Sequence, residues 1–411
     1  LKFSIVVPAY NTDPEFFREL IVSCLDQTYP YFELIIADAS TEDNVKNIVE
    51  GFTADPATAQ SAKRIKYFRL PENLGISGNT NRAIERAKGD YIVFLDHDDL
   101  LTPDALYEVA AAIAREEEKT DERPVMLYSD EDKYDPDGDG FFGVSRKPEF
   151  DREMILTNNY ICHLLVTETA ITRELGGLRS EYDGAQDYDI ILRIWKSTLL
   201  DKKPWYHKSA IVHIPKVLYH WRLSSTSTAG NPSSKLYAYE NGGKAIEDCV
   251  KALEWDAEVV PLPHLGFYEL RYGPDLFNDR HDIGAVGGRV FSRKLVGKNL
   301  TIGGLMDSDG NVIYKDLPEG YSGYMHRAIL ARSAEAIDIR CMRVRKELWP
   351  LYIEIVGREP GEDLPESADP IELSLKFCKA VKKMGYDLLY YPRWRVYKRI
   401  QNRKTGSDTE E

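Results

Sequence analysis

The chain has 411 residues, 43% of them apolar and 11% aromatic, with a formal charge of −14. This length leaves room for roughly two or three domains with packed cores, and the negative charge argues against nucleic acid as a partner. No apolar run of about 18 residues occurs, so no membrane-spanning helix is expected. The cysteines Cys24, Cys162, Cys249, Cys341 and Cys378 are odd in number, scattered and without metal-ligand spacing. They read as reduced, buried thiols of a cytosolic protein. No signal peptide is visible, and the chain starts at Leu1 without Met, which leaves processing or excision open.

The first hundred residues alternate regularly. Phe3 to Val7 reads as a short apolar strand ended by Pro8, Asp13 to Gln27 as a helix, Glu33 to Ala37 as a strand and Asn44 to Phe52 as a helix. Ile65 to Leu70 is a third strand, Thr80 to Lys88 a helix, Tyr91 to Leu95 a fourth strand and Thr102 to Glu118 a long helix. Near-continuous apolar strands alternating with helices predict a parallel sheet covered on both faces. Ligands of such sheets bind beyond the carboxyl ends of the strands. Tyr10, Asn11, Asp38, Ser40, Asn73, Asp96 and Asp98 all follow strand ends, so they should converge on one sheet edge as a nucleotide site.

The next stretch is less regular. Met126 to Asp132 is a strand running into acidic residues, Asp135 to Gly140 a turn, Ile161 to Thr167 a strand and Asp187 to Lys196 a helix. Ile211 to Trp221 reads as a strand broken at Pro215, Ser224 to Ser234 as a flexible loop and Leu236 to Trp255 as a long helix. From about residue 263 a further region shows short strands and Gly-rich turns. In it, Asp307-Ser308-Asp309-Gly310 lacks the downstream glutamate of a calcium loop and reads as a hairpin turn. Lys376 to Lys404 is basic and aromatic, which suits either an anionic membrane surface or an ordinary solvated end.

The densest chemistry is Asp96-His97-Asp98-Asp99, where an apolar strand runs out into solvent. Clustered carboxylates repel one another, and burial worsens the repulsion. Mg²⁺ or Mn²⁺, taking oxygens from one or two carboxylates and from substrate phosphates, relieves it. The alternative is a solvated acidic turn in which Asp99 and Thr102 cap the next helix.

With these residues in view, the chain resembles the family 2 glycosyltransferases of the GT-A fold. Five separated motifs carry the resemblance over about the first 240 residues: Ser4-Ile5-Val6-Val7-Pro8-Ala9-Tyr10-Asn11, Cys24-Leu25-Asp26-Gln27-Thr28-Tyr29-Pro30, Asn73-Leu74-Gly75-Ile76, Leu95-Asp96-His97-Asp98-Asp99 and Gly184-Ala185-Gln186-Asp187-Tyr188-Asp189. Tyr128 to Lys133 and Leu218 to Arg222 are similar to the bacterial branch that builds O-antigens and rhamnose-rich polymers. The resemblance implies a Rossmann-like α/β domain with a mostly parallel sheet and flanking helices, plus a smaller C-terminal α+β region. The expected division is residues 1–235 as the GT-A domain and 236–262 as a helical linker. Residues 263–404 form a degenerate second module lacking its donor-binding half, and 405–411 a flexible tail.

Residue roles are implied in the same way. Pro8, Ala9, Tyr10, Asn11, Asp38, Asn73, Asn81, Asp96 and His97 belong to donor binding. Asp98 and Asp96 match the DXD motif that holds Mn²⁺ or Mg²⁺, with His220 completing the metal shell or serving as a structural histidine. Asp187 is the general base, with Asp189 as the competing candidate. A base is needed because a sugar hydroxyl must lose its proton as it attacks. Asp130, Asp132, Gln186 and Trp221 are assigned to the acceptor or to support of the site, with a solvated acidic turn as the equal alternative for Asp130, Glu131 and Asp132. Thr80 stands where many relatives carry an arginine, with Arg82 close by. Asp38-Ala39-Ser40-Thr41 lacks one carboxylate of the usual pattern. The implied partners are a UDP- or dTDP-sugar and a glycan or lipid-linked glycan acceptor. The implied location is the cytoplasm, at the inner membrane face through the basic C-terminal region. Two rivals stand beside this reading. One is a non-catalytic sugar-nucleotide or glycan-binding protein. The other is a nucleotidyltransferase, which would want a Gly-rich phosphate loop where Pro8 to Asn11 stands.

Overall fold

A computed structural model describes residues 1–138, 140–200, 210–223, 236–293 and 297–398. They divide into two compact units, one of residues 1–150, 158–253 and 259–267, the other of 151–157, 254–258 and 268 onward. The loop expected over 224–234 and the tail 405–411 lie outside the described residues.

The first unit is built on β1 (Phe3–Ala9), in which every residue is buried. A strand buried on both sides needs cover on both faces, and β1 sits inside the sheet. It pairs in parallel with β2 (Phe32–Asp38) on one side and with β4 (Tyr91–Phe94) on the other, and β2 in turn pairs in parallel with β3 (Ile65–Arg69). Helices α1 (Pro14–Leu25), α2 (Asn44–Ala54), α3 (Ala59–Ala62) and α4 (Gly75–Arg86) connect these strands. Asp13 caps α1 by accepting from the backbone of Glu15 and Phe16 at 2.8 and 3.2 Å, and Pro14 opens the first turn. α1 buries Phe17, Leu20, Ile21 and Cys24 against the sheet.

Beyond β4 the sheet turns mixed. β5 (Leu100–Leu101) and α5 (Ala105–Thr120) lead to the hairpin of β6 (Met126–Asp135) and β7 (Gly140–Ser145). β8 (Leu165–Glu168) lies antiparallel to both β4 and β6, and after α6 (Thr169–Glu174) and α7 (Gln186–Leu200) the strand β9 (Ile211–Arg222) runs parallel to β6. The order is β3-β2-β1-β4-β8-β6-β9-β5, with β7 on β6. Pro215 does not break β9. Its pairing with β6 is nonetheless interrupted at that point: Ser129 faces Ile214 and Asp130 faces Val217, so Pro215 and Lys216 stand without partners on β6, and the register shifts again after Asp130.

Helix α8 (Leu236–Ala252) corrects the expected linker. It buries Ala238, Ala245, Ile246, Cys249 and Val250 within the first unit. The Tyr182 hydroxyl donates to Asp248, and Asn241 Nδ2 donates to the Asp183 carbonyl at 2.9 Å. An amphipathic helix of this length buries its apolar stripe on the nearest sheet-covering layer rather than standing free.

The second unit centres on the strand Ile283–Ser292, buried throughout and parallel to Asp387–Lys398. Short antiparallel strands and the helices Trp349–Val356 and Pro370–Lys383 cover them. Residues 151–157 join this unit through ion pairs: buried Arg280 meets Glu153 at 2.5 Å and Asp282 at 2.8 Å, and Arg152 reaches Asp387 at 2.8 Å. Four basic residues of the C-terminal stretch are paired with acids of their own unit. Lys382 meets Glu335 (2.6 Å), Arg393 meets Glu269 (2.7 Å), Arg395 meets Glu319 (3.1 Å) and Lys398 meets Asp363 (2.7 Å). Neutralised in this way, these four residues do not form the free basic face expected for an anionic membrane. Among the described residues no helix is long and apolar enough to cross a membrane.

Candidate active site

The carboxyl ends of β1 and β2 are locked to each other. Asn11, at φ +46°, accepts through Oδ1 from the Thr41 amide and hydroxyl at 2.9 and 3.1 Å, and its own amide donates to Ser40 Oγ at 3.0 Å. Asp38 is wholly buried beneath this clamp. It accepts from the Ser40 amide at 2.9 Å, the Tyr67 hydroxyl at 2.8 Å and Arg69 at 3.2 Å. Its charge is thus compensated from within, and the group left outward at this edge is Tyr10, 43% exposed beyond buried Pro8 and Ala9. Asn73 accepts from the Gly75 amide (3.1 Å) and Asn79 Nδ2 (2.9 Å), shaping the start of α4. Asn81 exchanges two 2.8 Å hydrogen bonds with the backbone of Leu178, so both ends of its amide are engaged by the protein. Arg82 pairs with Glu85 on an exposed helix face.

The acidic turn after β4 is organised by β9. Asp99 is 1% exposed and accepts from the Tyr219 hydroxyl at 2.5 Å and the Arg222 amide at 2.8 Å. It is no surface cap, which removes the alternative of a solvated acidic turn. Burial first, then the charges of Asp98 and Asp96, push its carboxyl well above the usual range. Fully buried Arg222 donates to the Asp98 carbonyl at 2.6 Å and to Glu19 at 2.6 Å, fixing the backbone that carries Asp98. His97 Nδ1 lies 2.8 Å from Thr12 Oγ1. Burial also raises the Asp96 carboxyl, with Asp98 and Asp187 adding to the rise and His163 opposing it.

Asp187 stands in the first turn of α7, on a cleft of about 50 Å³ whose lining includes Pro8, Thr80, Asp96, His163, Gln186 and Asp187. The expected base and the first aspartate of the DXD motif therefore face one space. Asn159 Nδ2 donates to Asp187 Oδ2 at 3.0 Å. Asp189 is placed differently: it is buried and bound by Arg179 (Nε, 3.1 Å) and Arg193 (Nη2, 2.7 Å). A carboxylate gripped by two guanidiniums is a poor proton acceptor. Gln186 accepts from the Gly184 amide at 2.7 Å and shapes the turn before α7.

Sequence reasoning missed His163. Its ring stacks on Tyr219 (centroids 4.7 Å apart) and meets Trp221 edge-on at 5.5 Å, and its Nδ1 lies 3.3 Å from Glu131. Burial alone would lower its pKa, but Glu131, Asp96 and Asp99 together raise it to about 9. Buried Lys147 lies below, donating to the Ile161 carbonyl at 2.8 Å and to the His163 carbonyl, with Glu131 at 3.7 Å. Such a charged triad leaves no periodic trace in sequence, because its members are brought together across the sheet.

His220 Nδ1 lies 2.5 Å from Asp132 Oδ1, leaving Nε2 as its second ring nitrogen. A carboxylate behind an imidazole is the arrangement that orients metal-binding histidines. Asp130 is buried, 2.9 Å from His213 Nε2 and accepting from the Lys147 amide at 2.9 Å, so it supports the strand end. Trp221 is half-buried against His163.

The donor set fits a hard divalent cation. Asp98 is half-buried, and its carboxylate has no hydrogen-bond partner among the described residues. Asp96 and His220 supply further oxygen and imidazole donors. Asp96, Asp98 and His220 do not, however, form a ready-made ligand trio. Among the described residues the one such grouping is Cys162, His163 and Asp187. That grouping suits a metal poorly, since the Cys162 thiol is pushed well up by burial and Asp187, and His163 is held protonated. An ion held by Asp98 would complete its shell with phosphate oxygens and water, as Mg²⁺ sites do.

The sheet order and the carboxylates gathered at its strand ends define a GT-A-type α/β domain. Residues 4–164 match the family model described as glycosyl transferase family 2. An uncharacterized protein, y4gI, of Sinorhizobium fredii is 38% identical over 250 residues, covering 60% of this chain and 25% of the relative. The O-antigen biosynthesis protein RfbC of Myxococcus xanthus is 30% identical over 292 residues, covering 68% of this chain and 21% of the relative. The match with each thus spans only a quarter of that relative's length or less. A solved structure of Staphylococcus aureus TarS with UDP shares 22% identity with this chain, covers 60% of it and 65% of its own chain, and superposes at a TM-score of 0.41.

Proposed function

We propose that this chain transfers a sugar from a nucleoside-diphosphate donor to a hydroxyl of a growing cell-surface glycan, inverting the anomeric configuration. The observation that carries the reading is the cleft shared by Asp96 and Asp187, in which Asp187 keeps acceptor capacity while Asp189 is neutralised by two arginines.

Tyr10, exposed at the end of β1, stacks on the base. The β1–β2 clamp of Asn11, Asp38 and Ser40 holds the loop against which the ribose lies. Asp98 and Asp96, with His220, would hold Mn²⁺ or Mg²⁺, and a bound ion offsets charge on the departing diphosphate. Protonated His163 adds positive charge on the same side. Asp187, steadied by Asn159, takes the proton of the incoming hydroxyl as the new glycosidic bond forms on the face opposite the departing phosphate. Holding both substrates in line supplies a further share of the rate. The second unit is read as a degenerate glycosyltransferase module without a donor half. The acceptor is read as a glycan or lipid-linked glycan at the inner membrane face.

A panel of UDP-, dTDP- and GDP-sugars with Mn²⁺, scored by thermal shift and then by release of the nucleotide, tests the reading. Stabilisation by one donor class together with turnover is the expected result. Stabilisation without any turnover, with hydroxyl acceptors present, would favour a binding protein and overturn the transferase assignment.

A further inference from the structure

A second cavity, of about 660 Å³, lies wholly within the second unit. It is bounded by the end of strand Tyr268–Tyr272 and the turn after it, by residues 342–349 and by strand Asp387–Lys398. Its volume is that of a site for a ligand of a few rings.

Tyr272, Phe277, Trp349, Tyr391 and Trp394 line part of its walls, and several of these rings are held in place. Tyr391 donates its hydroxyl to the Leu270 carbonyl at 2.8 Å, and Trp349 donates its indole N–H to the Val344 carbonyl at 3.1 Å. Trp394 packs edge-on against Tyr391, centroids 5.4 Å apart, and carries the Arg343 guanidinium 4.2 Å from its ring centre.

The cations of the cavity differ in their commitments. Arg271 and Arg393 share Glu269 at 2.9 and 2.7 Å, and Arg345 is tied to the Ile283, Phe277 and Arg280 carbonyls. Arg343 and Lys346 are exposed, and among the described residues no carboxylate pairs with them. In a chain of net charge −14, this is a local positive site. Asp275, Asn278 and Glu347 add hydrogen-bond acceptors to the same lining.

This combination selects a ligand. A pyranose has an apolar face, which lies on an aromatic ring, and an edge of hydroxyls, which want donors and acceptors together. The unpaired guanidinium and ammonium call for a carboxylate or phosphate. A nucleotide polyphosphate asks instead for a dense set of donors, supplied by backbone amides of a Gly-rich loop or helix start.

We propose that this cavity binds an acidic saccharide, a glycan segment bearing carboxylate or phosphate groups, between the aromatic walls and Arg343. It rests on the transferase reading only in taking that saccharide to be the polymer under construction. Because the binding assay contains no sugar nucleotide, its failure is distinct from failure of transfer.

The full chain is titrated with tetragalacturonate, glucose 1-phosphate, maltotetraose, inorganic phosphate and UDP, following tryptophan fluorescence and heat. At least one acidic sugar should bind saturably, maltotetraose about tenfold or more weaker, and Arg343→Ala should weaken the acidic sugar by about tenfold, the size of one charge-assisted contact. Arg343 is exposed, so its removal should leave the melting temperature unchanged. Failure of both acidic sugars to bind overturns the proposal. Equal affinity for maltotetraose, full competition by inorganic phosphate or by UDP, or unchanged affinity in Arg343→Ala would each overturn it too.

Discussion

Replacing Asp187 by asparagine keeps the shape of the side chain and removes only its capacity to take a proton. Asn159 Nδ2 stands 3.0 Å from Asp187 Oδ2, so the new amide can present its oxygen there and its NH₂ towards the cleft. A general base contributes about 10²–10⁴ in rate, or roughly 3–5 kcal/mol of barrier. The turnover number should fall by that factor while donor affinity, measured by calorimetry, stays within about twofold, because the group acts on the acceptor. Asp189→Asn serves as the comparator. It removes a buried anion from between Arg179 and Arg193, whose side chains are 33% and 14% exposed. Losing one partner of a fully buried pair costs about 3–5 kcal/mol, and solvent at the arginines reduces this to about 2 kcal/mol. The melting temperature should drop by about 4–8 °C for a unit of this size. Single-turnover transfer and thermal melts on both variants separate the roles. Near-normal turnover in Asp187→Asn, or a turnover loss in Asp189→Asn beyond its loss of fold, would refute the assignment.

Tyr219→Phe removes the 2.5 Å donor to buried Asp99 and should destabilise the first unit by about 2–3 kcal/mol, read as a lower urea midpoint at unchanged slope. An unchanged midpoint would mean that Asp99 is solvated instead. Asp98→Ala should abolish the Mn²⁺-dependent part of donor affinity while leaving the metal-free part. Calorimetry giving equal enhancement by Mn²⁺ in both proteins contradicts a ligand role. In the second unit Asp282, against the pull of burial, is held at about 2 by Arg280 and Arg152. A depressed carboxylate stabilises fully above its unfolded pKa, so this unit should lose about 2 kcal/mol as pH falls from about 4 through about 2. Arg152→Ala should shift that acid transition upward, and an identical acid profile would exclude the pair. Cys24 and Cys378, both raised to about 12 by burial, should resist iodoacetamide at pH 8 in the native protein and react only on unfolding.

Much of the first unit was legible in the sequence, for a physical reason. β1, β2 and β4 are nearly continuous apolar runs because both their faces are covered, and α1 shows its buried stripe at helical spacing and its cap at Asp13. Helix α4 was harder to read. It begins at Gly75, five residues before the expected Thr80, in a stretch of glycine and asparagine whose propensities oppose a helix. The short strand β5 and the hairpin strand β7 carry too few residues to show a period. The membership of α8 in the first unit depends on its fit to neighbours and has no local signature.

The sequence by itself determined the strand-end carboxylates, the motif positions and hence the edge of the sheet where chemistry sits, since these follow from alternation along the chain. Only the tertiary structure decided which charged groups are neutralised. It buried Asp99 under Tyr219, engaged Asp189 with two arginines, satisfied Asp38 internally and set a protonated His163 beside Asp96. Arg193 apart, which stands four residues from Asp189, these outcomes depend on partners 10 to 120 residues away in the chain. Electrostatic compensation is a property of distance in space, and local pattern carries no measure of it.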